Sequence, residues 1–177
     1  MIPASGGKPR RLTSHPANDN IPSFSRDGRW IYFSSNRTGD YQIWKIPPAG
    51  GEAVQVTNNG GYAAFESPDG ISVYYTQARL ATALWRLPSS GGQPVKVLEG
   101  IVWRAFAVLE RGIYYIDRAS GEARLQFFEF ATGRSTTVAR NLGDLRLGLT
   151  ASPDGRTILY SRVDSSVDDL MLVENFR

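Results

Sequence analysis

The chain has 177 residues, 41% of them hydrophobic and 21% charged, which is enough for about one globular domain whose core needs no covalent staple. With no cysteine and a single histidine, a thiol nucleophile, a Cys-ligated zinc, a disulfide framework and a multi-histidine metal site are all excluded. Twenty Lys+Arg against 17 Asp+Glu leave +3, clustered only at Lys8, Arg10 and Arg11, so no nucleic acid is expected on this segment, and no run is apolar enough to span a membrane.

In chain order, the opening Met1-Ile2-Pro3-Ala4-Ser5-Gly6-Gly7 has neither the charged nor the apolar region of a secretory leader. Residues 8–13 read as an outer strand following the Gly6-Gly7 pair. Four short strands follow at 21–24, 30–35, 41–46 and 53–57, rich in aromatic and β-branched residues and separated by Gly, Pro, Asn and Asp. The pattern then recurs. Ser25-Arg26-Asp27-Gly28 returns as Ser67-Pro68-Asp69-Gly70 and Ser152-Pro153-Asp154-Gly155, at steps of 42 and 85 positions between the glycines. Leu109-Glu110-Arg111-Gly112 stands where the missing copy should fall. Strand-ending aromatics Phe33, Tyr75, Tyr115 and Tyr160 step by 42, 40 and 45, and Gly7, Gly51, Gly92 and Gly133 step by 44, 41 and 41.

These markers predict an outer strand over about 1–14 and repeats over about 20–58, 61–99, 102–140 and 147–177. The last repeat reads as three strands ending at 168–176, so the 8–13 strand could complete it, giving sixteen strands. In each Ser-Pro-Asp-Gly turn, proline presets φ, Asp accepts local backbone hydrogen bonds, and Gly takes the left-handed position. The Gly-Gly pairs read as a second hairpin and 36–40 as a third. No segment has a helical apolar period, so almost no helix is expected.

Four antiparallel strands every 40–45 residues are the signature of a β-propeller blade. One blade cannot bury both its faces alone; radial stacking covers each with the next. Ile31, Phe33, Ile43, Trp44, Val73, Tyr75, Leu84 and Trp85 are expected between blades. The fold class is therefore all-β, with four blades' worth of four-stranded sheets.

The stretch Ile21-Pro22-Ser23-Phe24-Ser25-Arg26-Asp27-Gly28-Arg29-Trp30-Ile31-Tyr32-Phe33-Ser34-Ser35-Asn36-Arg37, continued by Ile43-Trp44-Lys45-Ile46, Gly50-Gly51 and Val56-Thr57, closely resembles the repeat of TolB-like propellers, also called WD-repeat-like bacterial propellers. The resemblance covers nearly the whole chain and is weakest in the third copy, which lacks the proline and aspartate. It implies six to eight blades and a periplasmic or cytoplasmic setting. The chain is therefore expected to be the C-terminal part of a larger propeller rather than a closed four-bladed ring. A fragment would expose a blade face at its first repeat and self-associate there. The segment 152–177 also resembles the end of large bacterial proteins in which a winged-helix regulator or a kinase precedes the propeller.

Chemistry is sparse, and no catalytic, cofactor-binding or metal-binding residue is singled out. His15 reads as an exposed loop histidine, and no Gly-x-Ser-x-Gly elbow is present. Asp168 and Asp169 would point to opposite faces of a strand. Asp27, Asp69 and Asp154 recur with the turns. Arg37, Arg79, Arg118 and Arg162 recur at steps of 42, 39 and 44, as structural ion pairs or, alternatively, as an anion-binding ring. The expected function is a non-catalytic scaffold for a protein or peptide partner, contacted through the least repetitive loops, 77–82, 141–145 and 164–167. The alternatives are a sensor propeller of a signalling or winged-helix protein, and a substrate-gating propeller of a peptidase or polysaccharide lyase.

Overall fold

The computed structural model describes residues 1–78, 82–118 and 121–164. Thirteen strands and no helix stand among them. The first blade is β1 (Asp19–Phe24), β2 (Ile31–Thr38), β3 (Asp40–Ile46) and β4 (Val54–Gln55), an antiparallel meander in that order. The second holds β5 (Ala64–Glu66), β6 (Ser72–Thr76), β7 (Thr82–Pro88) and the first part of β8 (Val95–Val108). The third takes the rest of β8 with β9 (Gly112–Asp117), β10 (Arg124–Glu129) and β11 (Arg134–Ala139); β12 (Asp144–Ala151) and β13 (Ile158–Val163) begin the fourth. The chain is thus a partial propeller. The strand expected at 168–176 lies outside the described residues.

Alternation of side chains along each strand decides what packs where. In β2, Tyr32 joins Ile43, Ala64, Val73, Tyr75 and Leu87 between the first two blades, while Ile31 and Phe33 face the other way with Trp44 and Ile46. In β6, Val73 and Tyr75 face the first blade and Tyr74 the third. In β9, Ile113 and Tyr115 face the second blade, whereas Ile116 joins Leu125, Leu145 and Leu149 toward the fourth. Each such side chain withdrawn from water contributes about 1.5–3 kcal/mol, so the inter-blade layers carry the fold.

Two expectations need correction here. The repeats over 61–99 and 102–140 are not separate sheets. β8 runs 14 residues and pairs with β7 through Val95, Lys96 and Leu98, then with β9 through Phe106, Ala107 and Val108. It turns the corner at Arg104, whose φ of 58° is left-handed, so seven strands form one hydrogen-bonded sheet. Gly112 is not a turn glycine either. It opens β9 opposite Glu129, where a Cβ would lie 2.0 Å from the Phe128 carbonyl oxygen. Close backbone approach requires it, and the third turn is shorter than its counterparts, closed by Leu109 N–H on the Gly112 carbonyl (2.9 Å).

The lead-in also departs from expectation. Residues 8–13 form no ladder; Pro9 has no N–H to offer one. Instead the Arg10 guanidinium donates to the Ala49 carbonyl (3.0 Å) and to that of Pro48, and Leu12 packs on the free side of the first blade. The Arg37 guanidinium lies over the rings of Phe33 (5.1 Å) and Trp44 (4.7 Å) on that same side. Ile31, Phe33, Trp44 and Ile46 are consequently buried, and the exposed first face predicted for a fragment is covered.

Because the strands run as a meander, the connections separate onto two ends. One, here the turn face, carries the Ser-x-Asp-Gly and Gly-Gly hairpins. The other, the linker face, carries the hairpins from second to third strands and the crossings from blade to blade.

Candidate functional site

On the turn face, one local network repeats three times. The Ser25 hydroxyl donates to Asp27 Oδ1 (2.7 Å) and accepts from the Trp30 N–H (2.8 Å), while Asp27 Oδ1 also accepts from the Arg29 N–H (3.0 Å). Ser67 with Asp69, and Ser152 with Asp154, repeat the hydroxyl-to-carboxylate bond at 2.5 and 2.6 Å. Gly28, Gly70 and Gly155 close the turns at φ of 69°, 73° and 69°. The carboxyl of Asp27 is held below its ordinary value first by the Arg29 N–H and then by Ser25; those of Asp69 and Asp154 are held down first by their serines. These aspartates are spent on the fold, as their recurrence implied.

Next to these turns, a groove of about 710 Å³ opens between the second and third blades. Ile71 contributes from the second blade's turn, Val95 from the start of β8, and Phe130 from just beyond β10, at 66%, 54% and 38% exposure. Tyr74 forms its floor, stacked with Phe130 at 6.2 Å and 23°. Burial raises the Tyr74 hydroxyl above its ordinary value despite the nearby Arg86, so it stays a neutral hydrogen-bonding group at pH 7. Arg86 and Lys96 face Asp69 and Glu110 around the opening, which makes its rim charged and balanced. Phe130 was not anticipated. Its signal was the aromatic run Phe127-Phe128-Glu129-Phe130 ahead of Gly133, in which one aromatic more than the strand can bury falls past its end.

Nearer the axis, a second basin of about 370 Å³ takes residues from all four blades, among them Arg26, Phe65, Phe106 and Leu149. Glu66 stands at its side, buried, and ties the first two blades together. It accepts from the Arg26 N–H (2.7 Å) and from the Tyr32 hydroxyl (2.9 Å). Burial, with the Glu66 carboxylate beside it, pushes the Tyr32 hydroxyl far above its usual range, so it remains a donor.

The recurring arginines lie toward the linker face and form no ring among the described residues. Arg37 pairs with Asp19 of the adjacent strand, donating to both carboxylate oxygens at 3.0 and 3.1 Å. Arg118, just past β9, reaches Asp144 of β12 at 3.7 Å, a pair between blades, and Arg162 pairs with Asp164 two residues on at 2.6 Å. Arg79 lies outside the described residues. Burial pushes the Asp19 carboxyl up, but hydrogen bonds from Ser35, Thr13 and Arg37 outweigh it and hold the group below its ordinary value.

Of the three irregular loops, 141–145 and the described residues 77 and 78 fall on the linker face. Of 77–82, residues 79–81 lie outside the description, as do 165–167 of the third loop, and Asp168 and Asp169. In the 141–145 loop Asn141, Gly143 and Asp144 are exposed, but Leu142 and Leu145 are buried in the core between the third and fourth blades. His15 accepts the Ala17 N–H at Nδ1 (3.1 Å), a local turn contact. Among the described residues no group of His, Asp or Glu is arranged to hold a metal ion, and no helix is long and apolar enough to cross a membrane.

Comparison with known proteins agrees with this architecture. Residues 1–79 match the TolB beta propeller domain. The Tol-Pal system protein TolB of Bordetella pertussis is 43% identical over 54 residues, covering 30% of this chain and 12% of that protein. Among solved structures, TolB of Acinetobacter baumannii superposes with a TM-score of 0.72 over 86% of this chain and 40% of that one, at 22% identity. Puromycin hydrolase shares the fold at a TM-score of 0.62 and 18% identity, over 88% of this chain and 27% of that enzyme. The matches span a quarter or less of the curated relatives' own length. Residues 1–79 thus resemble the TolB-like β-propeller repeat, and the described residues share the propeller fold of the solved TolB structures.

Proposed function

We propose that the chain is a non-catalytic scaffold that binds a protein or peptide partner, seating an apolar side chain of that partner in the groove between the second and third blades. The observation that carries this reading is the convergence of Ile71, Val95 and Phe130, exposed, on one cavity with an aromatic floor. Protein interfaces are anchored by a few aromatic or aliphatic side chains seated in such pockets within a polar rim. Exposed apolar surface, rather than loop variability, is what selects the groove.

Selection of a random peptide library against the immobilised chain tests this. Enriched peptides are expected to share an aromatic or aliphatic residue and to lose at least about tenfold in affinity to the Phe130→Ala variant. Peptides bound equally well by Phe130→Ala and by Ile71→Ser chains would refute the groove. A second reading is a substrate-gating propeller beside a catalytic domain, favoured by the fold shared with puromycin hydrolase. The coding sequence flanking this segment separates the two: a hydrolase domain there supports gating, a winged-helix or kinase domain a sensor.

A further inference from the structure

We propose that the linker face carries a second, separate site, which binds a neutral oligosaccharide across the seam between the first two blades. Two adjoining open basins of about 580 and 500 Å³ lie there, and the Tyr41 ring lines both. Each falls within the roughly 300–1,000 Å³ usual for small-molecule sites. The start of β1 supplies Asn18 and Asn20 to the first basin. The start of β3, the blade-to-blade linker and the residue after β6 supply Gln42, Asn58, Asn59 and Gln77 to the second.

Three features of this cleft specify the ligand class. Its polar lining is dominated by carboxamides, each offering both a donor and an acceptor, which complements hydroxyl groups that do the same. Gln42 is already oriented: its Oε1 accepts from the Thr57 hydroxyl and from the Gly60 N–H, both at 3.0 Å, so its amide N–H groups are left to donate.

Tyr41 is the second feature. Its ring lies 4.7 Å from that of the buried Tyr62 at 39°, and Trp103 meets Tyr62 edge-on at 6.0 Å. The ring is thereby held in place between the two basins. The negative face of a fixed aromatic ring attracts the C–H face of a sugar.

The third feature is what the lining lacks. Among its described residues the aliphatic side chains are the methyls of Ala17 and Ala78. A peptide's apolar anchor would find no aliphatic pocket here and only the Tyr41 and Tyr62 rings to bury itself against, unlike at the groove on the turn face. Charge is balanced as well. Arg11 at one end stands against Asp40 at the other, and Asp19 is neutralised by Arg37. The geometry therefore favours an uncharged chain of two or three sugar rings, one of them over Tyr41. This inference is independent of the peptide groove, because the two sites share no residue.

Titration calorimetry of the chain with maltotriose, cellotriose, xylotriose, chitotriose and trigalacturonate tests it. At least one neutral trisaccharide is expected to bind at millimolar Kd or tighter. Tyr41→Ala should weaken it about tenfold or more, Tyr41→Phe by less than about threefold, and Phe130→Ala not at all. Should Tyr41→Ala lose its cooperative melting transition, the Asn58→Ala/Gln77→Ala double variant replaces it, with a weakening of about fivefold or more expected. Absence of binding by every neutral probe would overturn the site, as would binding that survives these substitutions or a preference for trigalacturonate. Failure here leaves the peptide selection at Phe130 untouched, so the two proposals fall separately.

Discussion

The two loop faces of this propeller are built by different means. On the turn face, backbone is closed by a short local grammar: a serine hydroxyl and an aspartate carboxylate satisfy successive N–H groups, and a left-handed glycine returns the chain. On the linker face, closure depends on side-chain contacts between segments far apart along the chain. The Thr57 hydroxyl accepts the Ile43 N–H (2.9 Å), Gln42 gathers the linker, and the Ser34 hydroxyl donates to the Tyr62 carbonyl. Local closure leaves exposed apolar side chains beside the turns, and non-local closure leaves an amide-lined cleft. A repeated turn constrains its own four residues and frees its neighbours; a linker that crosses between blades is specific to its seam.

Glycine substitutions test this comparison most severely. Gly61 sits in the linker, where a Cβ would lie 2.5 Å from the Ile43 nitrogen and 2.7 Å from Thr57 Oγ1. Gly61→Ala should destabilise by about 4 kcal/mol in urea unfolding. Gly28→Ala, in open space at φ 69°, should lose only about 1 kcal/mol, the intrinsic strain of the left-handed region. Equal losses would show that the two faces are not closed by different means. Glu66→Ala leaves the buried Tyr32 hydroxyl and the Arg26 N–H unpartnered and should destabilise by about 3 kcal/mol, with Glu66→Gln recovering more than half. Arg37→Ala uncovers Phe33 and Trp44 and removes the charged partner of Asp19; about 2 kcal/mol is expected, together with concentration-dependent self-association seen in sedimentation.

The smallest effect is in acid. The carboxyls of Asp19, Asp27, Asp69 and Asp154 are all lowered from 3.8 in the folded chain. Each therefore contributes stability that is fully present above that value and is lost as pH falls through the lower folded value. Acid unfolding should steepen only below about pH 3.8, and Asp69→Asn should flatten that limb by slightly lowering the neutral-pH melting temperature while leaving stability at the acid end little changed.

Much of the architecture was legible from residue spacing. β1 to β3 begin and end within three residues of their expected bounds, and the three Ser-x-Asp-Gly turns bond as their chemistry requires. What escaped was non-local. Gly112 and the turn glycines are identical in sequence, but one answers to a carbonyl oxygen across the sheet and the others to φ. The 141–145 loop read as variable surface, yet Leu142 and Leu145 anchor a seam. The lead-in read as a strand, yet it covers a blade face through Leu12 and Arg10.

The repeat, the strands and the chemistry of their turns follow from residue order, because strand alternation and chain reversal involve residues that are neighbours along the chain. Tertiary structure alone decided which apolar residues remain outside, where β8 joins two blades into one sheet, and that Tyr41 stands between amide-lined basins. Those outcomes depend on which blade faces come to lie against each other. Residues more than 40 positions apart meet there, such as Ser23, whose hydroxyl donates to the Ala64 carbonyl at 2.6 Å.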